Sequence, residues 1–200
     1  MNPMFIAIFL WLAAVILWWC GWRAENESYV SQKAVAIALF AWPFMMNVHI
    51  RASTTWLIHG GWIWMLVIAL VLLWKLERSI GWLASSTGLL LGAIELLLHR
   101  MVVLPKGTLI VIASWGSAIF IGLLASLLLR GVASQIVAIS LGILLLVAYN
   151  GFTETAWVPM ADWWIALFSV RFFGLLLKTF AQWLKILNAQ SNWNRRRQRS

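Results

Sequence analysis

The sequence predicts an all-α, polytopic membrane helical bundle. Seven transmembrane helices are favoured, and six plus one interfacial helix is the alternative. Three observations predict it. Of 200 residues, 63% are hydrophobic and 10% charged, with a mean hydropathy of +0.88, more apolar side chain than a soluble domain of this size can bury. Apolar runs near twenty residues recur, the length a helix needs to cross a bilayer with its backbone polar groups paired internally. Those runs do not alternate polar with apolar, which argues against a membrane β-barrel.

The first expected span is Pro3 to Trp22. It lacks a basic leader and a small-residue cleavage site, so it reads as a retained helix. Arg23 to Lys33 is a charged connection. Ala34 to Ile50 is the weakest span, short and interrupted by Pro43, with Asn47 and His49 in its second half; a crossing is favoured over a tilted or re-entrant element. Trp56 to Trp74 is the third, with Thr54 or Thr55 as its cap. The turn Lys75, Glu77 and Arg78 is short enough to set the next helix antiparallel.

That fourth span, Ile80 to Leu98, carries Gly81, Ser85, Gly88, Gly92, Glu95 and His99 at intervals of three or four. The spacing puts them on one helix face. Small residues on such a face admit a neighbouring helix, and Glu95 then lies against protein rather than lipid. The fifth span, Thr108 to Leu129, repeats the device with Ser114, Ala118, Gly122 and Ser126. Arg130 and Gly131 break the chain before the sixth, Val132 to Asn150. Gly151 to Asp162 is an acidic connection ending in a candidate cap, Asp162. Trp163 to Leu187 is apolar but carries Arg171, Lys178 and Lys185 seven apart, on nearly one face. It either crosses the membrane or lies in the interface. Residues 1–187 thus form a single transmembrane domain, and 188–200 a basic tail expected to be disordered.

The sixteen tryptophans suit the headgroup level where they flank spans, as Trp18, Trp19, Trp74, Trp82, Trp157, Trp163 and Trp164 do. Trp62, Trp64 and Trp115 lie deeper and fill space between helices. The net charge is +9, and Arg195, Arg196, Arg197 and Arg199 contribute to it at the end of the chain. Beside a membrane, these arginines with Arg171, Lys178 and Lys185 point to anionic headgroups or to a partner protein; nucleic acid is not an expected partner. Basic residues segregate to one side in either topology and place the tail in the cytoplasm of a bacterial inner (cytoplasmic) membrane. One cysteine, Cys20, excludes a disulfide within the chain.

Alternating helices bring His49, His59 and His99 to one membrane side, with Glu95 a turn deeper than His99. These four residues are the candidate polar membrane site. A buried carboxyl beside an imidazole suits proton or ion passage. Imidazoles with a carboxylate also allow a transition metal or haem, although no metal-ligand spacing is present and no cofactor is expected. No nucleophile elbow, phosphate loop or zinc-protease signature occurs, which argues against an enzyme. The expected function is that of a small integral subunit or accessory protein of a larger membrane complex, of secretion, conjugation, export or respiratory type, in contact with lipids and other integral membrane proteins. An ion-coupled transporter using Glu95 and His99 is one alternative, and a membrane-embedded metal- or haem-dependent enzyme the other.

Overall fold

The computed structural model describes residues 2–20, 31–51, 57–101, 115–150 and 157–197, with side chains at all of these except 51, 57, 99–101 and 184–197. Seven helices occur among the described residues: α1 Pro3–Trp19, α2 Gln32–Met46, α3 Gly60–Lys75, α4 Arg78–Met101, α5 Gly116–Leu128, α6 Val132–Tyr149 and α7 Trp157–Arg197. Strands β1 (His49–Arg51) and β2 (Leu57–His59) form an antiparallel hairpin between α2 and α3.

Three helices are long and apolar enough to cross a membrane, over Arg78–Leu98, Val132–Tyr149 and Trp157–Trp183. The apolar helices α1, α2, α3 and α5 are shorter, at 13 to 17 residues. At 1.5 Å per residue they reach about 20 to 25 Å, short of a hydrocarbon core of about 30 Å. The second segment departs most from expectation. Its helix stops at Met46, where Asn47 turns back to bond the Pro43 carbonyl at 3.0 Å, and His49 to Arg51 leave as a strand. The third helix accordingly starts at Gly60, not Trp56, and Thr54 and Thr55 lie outside the described residues. The last helix starts at Trp157, so Asp162 sits inside it rather than capping it. Pro159 falls in the first turn, where a missing N–H breaks no helical bond. The same helix continues through Leu187 to Arg197, so the backbone of the basic segment is helical where disorder was expected.

The packing is inside-out relative to a soluble protein. Phe5, Phe9 and Ile16 on α1, Leu66 and Leu70 on α3, and Trp82, Leu89, Leu90 and Leu97 on α4 face outward. Thr87, Glu95, Ser134, Gln135 and Ser140 are buried. Helices α4 and α6 run parallel and in close contact. A Cβ at Gly88 would stand 2.8 Å from the Ala138 carbonyl, and one at Gly92 2.8 Å from that of Gly142. A Cβ at Gly122 of α5 would lie 2.6 Å from the Ala166 carbonyl of α7. Each distance is shorter than a real side chain tolerates, so glycine is what allows these helices to meet.

Tryptophan fills much of the centre. Trp42 stacks on Trp11 at 5.8 Å and meets Trp157 and Trp164 edge-on at 6.4 and 5.8 Å. Trp163 and Trp164, expected at the headgroup level, are buried instead, while Trp115, expected deep, is exposed. Trp19, Trp74 and Trp82 are exposed near helix ends. The difference follows from helix phase. Trp163 and Trp164 face α6 and α2, as the Trp163 indole bond to Ser140 Oγ at 3.0 Å shows for the first.

Candidate functional site

The bundle has two chemically different ends. Gly81 lies against Leu73, and Gln135 donates to the Leu129 carbonyl at 2.7 Å. These contacts gather the end of α3, the start of α4, the end of α5 and the start of α6. Lys33, Lys75, Arg78 and Arg130 are exposed at this end. At the other end, α2, the hairpin and α3 meet α7. A Cβ at Gly60 would collide with the Met45 carbonyl, and one at Gly61 would stand 2.7 Å from Met46 Sδ and 2.9 Å from Met160 Cε.

Two of the three histidines converge at this second end. His49 and His59 are paired across the hairpin, with ring centroids 4.6 Å apart and planes at 73°. His49 Nδ1 bonds the Asn47 carbonyl at 3.0 Å, and His59 also meets Trp62 edge-on at 4.9 Å. Burial first, and then the charge of His49, holds His59 below its ordinary imidazole range. Cross-strand pairing of His49 with His59 depends on a hairpin that the sequence reading assigned to two helix ends, so periodicity gave no sign of it.

Glu95 lies one turn beyond Gly92 on α4 and is 2% exposed. Its Oε2 is buried and receives no hydrogen bond from the described residues. Asp162 is on the second turn of α7. His99 continues the same helix, and its side chain is outside the described residues.

Arg171 and Glu95 lie at different levels of the bundle. Arg171 lines a cavity with Val132, Ala133 and Gln135 at the start of α6, whereas Gly92 contacts Gly142 and Leu145. Glu95 is a further turn along, roughly 15 Å from Arg171 at helical rise. Among the described residues no group of three or more His, Cys, Asp or Glu is placed to hold a metal ion.

The remaining candidates fall as follows. Ser85 is half-buried and bonds back to the Gly81 carbonyl at 2.9 Å. Gly81 makes only ordinary contact with Leu73. Ala118 is buried, as is Ser126, whose hydroxyl donates to the Leu123 carbonyl. Lys178 is exposed on α7. Lys185, Arg195, Arg196 and Arg197 lie on its helical backbone, while Ser114 and Arg199 lie outside the described residues.

A buried carboxyl with an unmatched oxygen can take up and release a proton, and its ionised form is costly away from water. Comparison with protein-family models, curated proteins and solved structures finds no match to this chain.

Proposed function

We propose that this protein is a small integral component of a larger assembly in a bacterial inner membrane, with seven membrane-inserted helices and a cytoplasmic C-terminus. The carrying observation is the shape of α7. Its 41 residues extend about 60 Å at helical rise, more than twice the reach of the 18-residue α6. Leu175, Leu176, Leu177, Phe180 and Trp183 are all exposed on it, and Lys178 lies among them. Such a long apolar-and-basic arm is suited to another integral protein at the membrane surface. The exposed Lys33, Lys75, Arg78 and Arg130 share the end towards which the arm points, which supports a cytoplasmic placement by the basic-residue bias.

A photo-crosslinking residue at Phe180 should form an adduct of one discrete mass in intact cells, and the same residue at Phe9 should form none. Lipid adducts alone at both positions would overturn the reading.

A second reading, proton transfer, is favoured by the buried Glu95 carboxyl, whose Oε2 has no hydrogen-bond partner among the described residues. Glu95→Gln keeps the size of the side chain but cannot carry the proton. In proteoliposomes it should reduce pH-driven flux at least about tenfold, and wild-type flux in a folded Glu95→Gln protein would eliminate this role.

A further inference from the structure

A cavity of about 470 Å³ lies among α1, α2, α3, α6 and α7, within the size range of small-molecule sites. It runs lengthwise, from Ala34 to Trp42 on α2 and from Trp163 to Arg171 on α7. Either stretch rises about 12 Å. Its opening is sideways. Of the side chains that line it, only Ile37, Val67 and Val71 are exposed. They belong to α2 and α3, so the mouth is the gap between these two helices. Gly60 and Gly61 hold the start of α3 against the end of α2, which closes the gap on the hairpin side. Phe40, Leu66 and Leu70 are also exposed on the same two helices. In a bilayer such a mouth opens onto lipid chains rather than water.

The interior offers a solute few polar contacts. Trp42, Trp64, Trp163 and Trp164 form the inner end, and all four are buried. Trp42 Nε1 donates to Met160 Sδ at 3.4 Å, and Trp163 Nε1 to Ser140 Oγ at 3.0 Å. The Trp164 nitrogen has no partner among the described residues but is itself buried. Gln135 donates its amide to the Leu129 carbonyl, and Trp18 and Arg171 have interactions of their own within the protein. What the cavity presents is mostly ring carbon and aliphatic side chain. A polar group brought here would lose its water without finding a replacement. Leaving the bilayer costs a hydrocarbon chain nothing of that kind, and the chain gains contact with the rings.

We propose that the gap between α2 and α3 is a lateral port through which an acyl chain of a bilayer lipid enters tip first. The end of the chain lies among the tryptophans, and its glycerol-linked end lies at the mouth. The chain makes the contacts that hold it, so headgroup charge does not select the occupant. The proposal requires only that the helices lie in a bilayer. It is independent of the contact proposed for the projecting half of α7 and of proton transfer at Glu95, both of which lie elsewhere on the molecule.

The test places the full chain in nanodiscs with phosphatidylcholine that carries a diazirine on one acyl chain, either at its tip or next to its carboxyl carbon. Adducts are mapped by mass spectrometry. The tip label should mark Trp42, Trp64, Trp163 or Trp164. The carboxyl-side label should mark Ile37, Val67 or Val71 in preference to those tryptophans. The same labels on phosphatidylglycerol should give the same deep adducts, within about twofold. Ala38→Trp, which fills the cavity, should lower the deep adducts at least about tenfold and leave those at the outward Phe5 and Phe9 unchanged. Tip-label adducts confined to outward residues of the unaltered protein would overturn the proposal whether or not the variant folds. So would equal marking of the tryptophans from both label positions, or deep adducts from the anionic lipid alone. A lack of adducts at Phe5 and Phe9 as well would overturn the bilayer placement along with it.

Discussion

Pro43 shows how a single residue is accommodated in this setting. Proline has no N–H, so the carbonyl four residues earlier, that of Leu39, loses its helical partner. The Trp11 indole N–H of α1 donates to that carbonyl at 2.8 Å, and the Trp11 ring stacks on Trp42 beside it. A defect in one helix thus becomes the point at which its neighbour is fastened. Trp11→Phe keeps most of the ring but leaves the carbonyl unmatched, and should cost about 1–3 kcal/mol in thermal unfolding in mild detergent. In a Pro43→Ala background the restored amide can satisfy Leu39, so the same substitution should cost distinctly less. An equal cost in both backgrounds would show that the ring, not the bond, is what matters.

Between helices, close approach depends on where side chains are missing. Gly88 and Gly92 of α4 face Ala138 and Gly142 of α6, and α6 is buried along much of its length. Gly92→Leu would drive a side chain into the Gly142 carbonyl and Leu145, and should destabilise the bundle by about 1–3 kcal/mol or displace α4. Gly174→Leu is the matching control. Nothing lies within 4 Å of a Cβ there, so its cost should stay within about 0.5 kcal/mol. Thermal unfolding of both in one detergent compares them directly. The α4 stripe was legible in the sequence because glycine at intervals of four has few other uses in an apolar helix. Its partner was not, since Ala138 and Gly142 on α6 attracted no notice as a contact face. Nor was the close contact of Gly60 and Gly61 with the end of α2 and with α7, because adjacent glycines before a helix read as an ordinary turn.

At the scale of the whole molecule, successive helices alternate in direction and sort the charges between the ends. Cys20, the chain's one cysteine, is exposed at the end of α1, and the cavity groups that helix end with the starts of α2 and α6. With that end cytoplasmic, a membrane-impermeant maleimide should leave Cys20 unlabelled in intact spheroplasts and label it in inverted vesicles. The opposite pattern would reverse the orientation. A Cys20→Ser protein carrying Ser31→Cys should label on the same side as the original, and one carrying Asn47→Cys on the other.

Composition and run length by themselves determined an all-helical chain with helices long and apolar enough to cross a membrane, because hydrocarbon admits few ways of pairing a backbone. The intervals between glycines likewise determined which face of α4 would meet protein. Tertiary structure alone decided that Glu95 is buried with an unmatched oxygen, that His49 meets His59, and that Trp163 and Trp164 turn inward. These are relations between distant segments. They depend on helix phase, on where α2 stops and on how far along α6 each neighbour lies, and hydrophobic periodicity within one segment carries none of that information.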